Sequence, residues 1–226
     1  MDEPRSAATA QSAPRLESVV VVPGLWMRAA SLRVLGSRLR AAGYAVHSFE
    51  YSSVRASFDD NVTALQRFLT AVPADVVHLV GHSLGGVLIR ALLDREPPAH
   101  VGRVVCLGSP LRGSRTARRV ARLPGGRFII GKTLLEHEAR GGFRAWTSAV
   151  EAGCIAGDLA LGAGLLTGRF GEPNDGTVAV AETQIDGLRD HIVLPVSHVA
   201  LMWSHAVAEQ LEYFLAHGRF RHPRST

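Results

Sequence analysis

The residues best suited to chemistry are Gly81-His82-Ser83-Leu84-Gly85, a serine set between two glycines. The apolar run Val76 to Val80 leads in, and the apolar segment Leu84 to Arg95 leads out. The serine therefore falls on a strand-to-helix turn. Such a turn strains the serine backbone and lifts its hydroxyl above the edge of a sheet. Side chains two residues to either side would clash, so glycine stands at both places. The helix that begins there points unsatisfied N–H groups at the same spot. The implied chemistry is attack by a serine oxygen on an acyl carbon.

A serine hydroxyl is a weak nucleophile until a base removes its proton. Of the ten histidines, His198 is the best placed. It follows the apolar strand Ile192 to Val196 and precedes the last helix, and His191 and His205 are the alternatives. His82 adjoins Ser83, but its side chain is expected to point away. His47 and His78 fall inside predicted strands. The base in turn needs a carboxylate to fix its tautomer. Asp175 lies in the turn Asn174-Asp175-Gly176, and Asp158 ends the run Gly153 to Gly157. The residues alone leave both open.

These groups need a scaffold. Short β-branched runs at Val19 to Val22, Val76 to Val80 and Val101 to Leu107 predict buried parallel strands. Tyr44 to Glu50 and His191 to Val196 add two more. Asp59 to Val72 carries Val62, Leu65, Phe68, Leu69 and Val72 at helical spacing, and the last helix carries Val207, Leu211, Phe214 and Leu215 on one face. The alternation predicts an α/β fold: a predominantly parallel sheet with helices on both faces and chemistry at the carboxyl ends of the strands. One segment, Leu111 to Ala149, breaks the rhythm and is expected to be a partly helical insertion. The expected layout is a leader over 1–17 without order, one domain over 18–217 and a frayed basic tail over 218–226.

Taken together, the motifs resemble the α/β-hydrolase family, and within it small esterases and bacterial lipases, over Ser18 to His217. The resemblance is carried by the Ser83 turn and by Pro23-Gly24-Leu25-Trp26 after the first strand. It is also carried by Leu107-Gly108-Ser109-Pro110-Leu111-Arg112-Gly113-Ser114, Asn174-Asp175-Gly176-Thr177-Val178 and Pro195-Val196-Ser197-His198. It implies a triad of Ser83, Asp175 and His198, favouring Asp175 over Asp158. It further implies an oxyanion hole from the N–H groups of Leu25 and Leu84. Pro23 departs from the histidine that lipases often carry there, which removes a loop brace and keeps the Leu25 donor. The resemblance places a small cap or lid at 111–149. The expected reaction is hydrolysis of short- to medium-chain acyl esters, with thioester cleavage or acyl transfer as alternatives on the same triad. No metal or organic cofactor is needed.

Two other readings belong to different classes. Gly126 to Thr133 matches a phosphate-binding loop formally, with Gly131-Lys132-Thr133 at its end. No apolar strand precedes it, and Phe128, Ile129 and Ile130 sit where phosphates would be wrapped. The other is a hydrolase fold that only binds. The net charge of +5 is almost all arginine, with Lys132 the one lysine. These cations are spread along the chain without a nucleic-acid motif, so no nucleic-acid partner is expected. There is no run of about 18 apolar residues, which predicts no stable membrane insertion. The two cysteines, Cys106 and Cys154, lie in apolar runs and are expected as buried free thiols in a cytoplasmic protein.

Overall fold

The computed structural model describes residues 16–95, 97–161 and 171–223. All but the last two positions of the expected leader lie outside them. Within them, six strands make one wholly parallel sheet in the order β2-β1-β3-β4-β5-β6. The strands are β1 (Glu17–Val22), β2 (Ala45–Ser48), β3 (Val76–His82), β4 (Val101–Leu107), β5 (Ala152–Gly157) and β6 (Asp190–Leu194). The four consecutive valines of β1 are all buried. A strand covered on both faces has no solvent side and so no reason to alternate. Val20 and Val22 face a cluster that includes Val62, Leu65 and Leu69 of α2 (Phe58–Thr70) and Leu88 of α3 (Leu84–Leu93). Val19 and Val21 face the other cluster, with Leu35 and Leu39 of α1 (Arg33–Ala41) and Leu211 and Phe214 of α7 (His205–His217).

The strand order places the site. From β1 the chain runs to β2 on one side, then returns to lay β3 on the other. The direction of winding reverses between β1 and β3. In open parallel sheets the crevice outside the carboxyl ends at such a point accepts ligands. Pro23 and Gly24 follow β1, and Ser83 follows β3.

The segment over 111–149 contains α4 (Arg115–Ala121) and α5 (Gly126–Ala139). Helix α5 is broken at Gly131, where φ is 71° and ψ 163°. A Cβ there would lie 2.8 Å from Val54 Cα, so only glycine lets the chain pass this close in that conformation. Beyond the break the helix is fastened down. Lys132 N–H donates to Val54 O at 2.8 Å, and Thr133 Oγ1 donates to Ala56 O at 3.0 Å. Asn61 Nδ2 donates to Thr133 Oγ1 at 2.8 Å, and Phe58 N–H donates to Glu136 Oε2 at 2.7 Å. The path of the chain argues against the phosphate-loop reading. Gly126 to Thr133 is entered from a helix through a tight turn and is itself helical on both sides of Gly131, with no strand leading into it.

Residues 218–223 differ from the frayed tail the sequence suggests, while 224–226 lie outside the described residues. After α7 stops at Gly218, in the left-handed region at φ 71°, Phe220 is buried against Phe214 at 4.8 Å between ring centroids. Asp190 accepts from Phe220 N–H and bonds His222, and Arg221 stacks over Tyr213. A single aromatic among basic residues anchors this segment down to Pro223. The two cysteines are free, buried and register neighbours on β4 and β5.

Candidate active site

Ser83 occupies the turn between β3 and α3 with φ 52° and ψ −120°, a conformation costly for a residue with a Cβ. Its surroundings enforce this. A Cβ on Gly81 would strike the backbone of Gly85 and Gly86, and one on Gly85 would strike the carbonyl of Val22. The first turn of α3 is thus packed hard against the end of β1. The N–H of Ser83 donates to Leu107 O at 2.8 Å, which ties the turn to β4.

Asp175 and His198 meet across 23 residues of chain. His198 Nδ1 lies 2.7 Å from Asp175 Oδ2, and the N–H of His198 donates to Asp175 O at 2.9 Å. The other carboxylate oxygen, Oδ1, accepts from Thr177 N–H at 2.9 Å and Val178 N–H at 2.7 Å. The aspartate is 1% exposed. A buried carboxylate with three donors is fully satisfied and held in one orientation. With Nδ1–H given to Asp175, Nε2 of His198 is left as an acceptor. Asp158 is exposed at the end of β5, and its N–H donates to Leu194 O. Asp158 is therefore not the carboxylate brought to His198.

Ser83, Leu84 and His198 line one cavity of about 390 Å³. Its walls are mostly apolar, and include Leu25, Met27, Met202 and Trp203 together with Ala117 and Leu134 of the 111–149 segment. Leu84 opens α3, so its N–H lacks an intrahelical acceptor. Leu25 follows Gly24, where a Cβ would stand 3.1 Å from the Cβ of Ser83. The structure therefore brings all five predicted residues to one place. Alternatives His191 and His205 lie elsewhere, His191 bonding Thr183 at 2.9 Å and His205 pairing with Glu209 on α7.

His82 departs from expectation. Side chains alternate along a strand, so its ring should leave the site, yet it forms part of the cavity wall. The ring centroid is 4.8 Å from that of His198, and Nε2–H donates to His198 O at 3.0 Å. Burial, together with the neighbouring His198, pushes its pKa down to about 3, so His82 stays neutral in ordinary buffers. It braces the turn that carries His198. Replacing His82 by leucine should leave that carbonyl unpaired and cost about 1–3 kcal/mol in denaturant melts. It should also lower kcat about tenfold as His198 loses its support. A leucine variant with wild-type kcat would show that the turn stands without this bond.

A second polar group that the sequence did not single out is Glu182. It is buried, with Oε1 accepting from Arg115 N–H and Nε, and Oε2 from Ala179 N–H. It links the start of α4 to the loop carrying Asp175. A lone glutamate after an alanine-rich stretch carries no local signal of that role.

A model described as the alpha/beta hydrolase family matches residues 19–180. The chain belongs to that family. Solved structures similar to this α/β-hydrolase include Bacillus licheniformis lipase BlEst2 in its mature form. That likeness has a TM-score of 0.67 at 16% identity, over 93% of this chain and 95% of the other. A metagenomic carboxyl esterase is similar at TM-score 0.63 and 18% identity, over 87% and 69% of the two chains. Phospholipase PlaB from Legionella pneumophila is similar at 0.68 and 16%, over 87% and 57%. No curated protein matches the sequence of this hydrolase. None of its described helices is long and apolar enough to cross a membrane.

Proposed function

We propose that this hydrolase cleaves carboxylic esters through an acyl-enzyme on Ser83. The observation that carries the reading is the buried Asp175–His198 pair, whose histidine lines the same cavity as the strained Ser83 turn. Ser83 Oγ attacks the ester carbonyl while Nε2 of His198 takes its proton. Asp175 holds the imidazole in the required tautomer and steadies its positive form. The oxyanion forms between the N–H groups of Leu25 and Leu84. His198 then protonates the departing alkoxide, takes a proton from water as it attacks the acyl-enzyme, and returns that proton to Ser83 Oγ as the acid leaves. Labelling with a fluorophosphonate tests the reading directly: Ser83 should be modified stoichiometrically. An unlabelled Ser83 in folded protein would mark the fold as a binding module.

The substrate we infer is a short- to medium-chain acyl ester. The cavity is apolar and of modest volume for a small-molecule pocket, with no charged side chain in its lining. The likeness to a lipase and a carboxyl esterase supports esters over thioesters, although the same groups could cleave both. A series of p-nitrophenyl esters set beside acyl thioesters separates these. The insertion should select chain length, since Ala117 and Leu134 form cavity wall. Ala117→Phe fills part of that space. It should cut kcat/KM for octanoate about tenfold or more while acetate stays within about threefold. A uniform loss across the series would remove the insertion from substrate selection.

A further inference from the structure

Next to the cavity mouth, four large apolar side chains stand in solvent: Trp26, Leu123, Phe128 and Ile129, with Phe128 73% exposed. Trp26, Phe128 and Ile129 form one patch, and Leu123 stands in the turn that leads into it. The Trp26 and Phe128 rings are 6.1 Å apart, and the indole N–H of Trp26 donates to Ile129 O at 2.7 Å. Leu123 sits in the tight turn that starts α5, its carbonyl accepting from Gly126 N–H at 2.9 Å. The patch borders the cavity, because Leu25 and Ile130, chain neighbours of Trp26 and Ile129, line it. Contiguous exposed apolar surface of this kind marks an interaction site.

Cations frame it. Arg122 and Arg127 flank Leu123 and Phe128 in the same turn. Arg55, Arg127 and Lys132 line an adjoining groove of about 580 Å³ together with Phe128. Arg55, Arg119, Arg122 and Arg127 are exposed and form no ion pair among the described residues. The groove's carboxylate, Glu136, is engaged by Phe58 N–H and by Lys132 at 3.8 Å.

We propose that this face docks on an anionic lipid surface. The apolar side chains enter the boundary between headgroups and acyl chains, and the arginines meet the negative headgroups. A second copy of the chain is the other occupant an apolar patch could take. A two-fold contact would set these arginines against their own images, so the charge favours a negative partner. The docking gives the ester-hydrolase reading a purpose, because it aims the cavity mouth at acyl chains, and it rests on that reading for nothing else.

The test is sedimentation of the full chain with vesicles of equal parts phosphatidylglycerol and phosphatidylcholine, or of phosphatidylcholine alone. Partition onto the anionic vesicles should be at least about tenfold stronger and should weaken in about 0.5 M salt. The pair Arg122→Ser and Arg127→Ser should weaken anionic binding about 20-fold and leave the neutral vesicles unaffected. The pair Leu123→Ser and Phe128→Ser should weaken binding to both by about tenfold or more. Both pairs should keep wild-type rates on a soluble short-chain ester and wild-type melting. If even the wild type hydrolyses no ester, sedimentation still decides the docking. Equal partition onto the two vesicle types overturns the proposal, as does wild-type sedimentation of both variant pairs. A patch variant that splits a dimer in size-exclusion chromatography, in a protein that ignores vesicles, assigns the face to a second copy instead.

Discussion

Ser83→Ala should lower turnover of a soluble ester by about four to six orders of magnitude and leave the fold intact. The variant keeps the Cβ, the main-chain bond to Leu107 and the glycine contacts that force the turn, so nothing that shapes the backbone is lost. What disappears is the oxygen proposed as the acylated nucleophile. The loss should stop short of the uncatalysed rate, because the proposed oxyanion donors at Leu25 and Leu84 and the apolar cavity would remain. Steady-state kinetics on p-nitrophenyl butyrate, with a thermal melt of the same preparation, checks both halves. Turnover near wild type would remove Ser83 from the reaction.

The second large effect belongs to Asp175→Asn. Its carboxylate accepts from His198 Nδ1, Thr177 N–H and Val178 N–H. An asparagine has one acceptor oxygen for these donors, and its NH2 must then face a donor or turn the imidazole over. If the ring accepts from the amide through Nδ1, the proton moves to Nε2 and the base faces Ser83 with no lone pair. The expected loss is about 10³- to 10⁴-fold in kcat/KM, the scale of a wrong tautomer. Asp158→Asn, on the exposed end of β5, should stay within about twofold. Measuring both variants at mildly alkaline pH gives the ranking. A larger loss at Asp158 would mean that the working carboxylate has been misassigned.

The scaffold was legible because each strand is a short β-branched run with a clear end. The boundaries shifted where local chemistry intervened. The last strand stops at Leu194 and not at Val196, since Pro195 has no N–H to continue the ladder. The second starts at Ala45, because the N–H of Tyr44 still closes the end of α1 through Leu39 O. Ser83 and His198 could be located from their neighbours in sequence. Choosing between Asp158 and Asp175 could not be done that way, since both end a strand or enter a turn. What separates them is a through-space bond of 2.7 Å. The role of His82 was hidden for a related reason: alternation along β3 says nothing about a histidine ring arriving from 116 residues away. In the insertion, α5 buries Ile130 while leaving Phe128 and Ile129 exposed, and its break at Gly131 scrambles the periodicity that a sequence reader relies on.

That break at Gly131 divides the roof of the cavity into two mechanically different parts. Everything after it is riveted to the loop before α2 and to α2 itself through Lys132, Thr133 and Glu136. The turn before it, over 126–130, makes no such hydrogen bond to α2 among the described residues; the Trp26 indole, in the loop after β1, donates to its Ile129 O. Glycine is the residue whose torsions change at least cost. Ile130 and Leu134, which both line the cavity, stand on opposite sides of this glycine, Leu134 on the side that is hydrogen-bonded down. An acyl chain lying against both would be measured on the Leu134 side against a stationary stop.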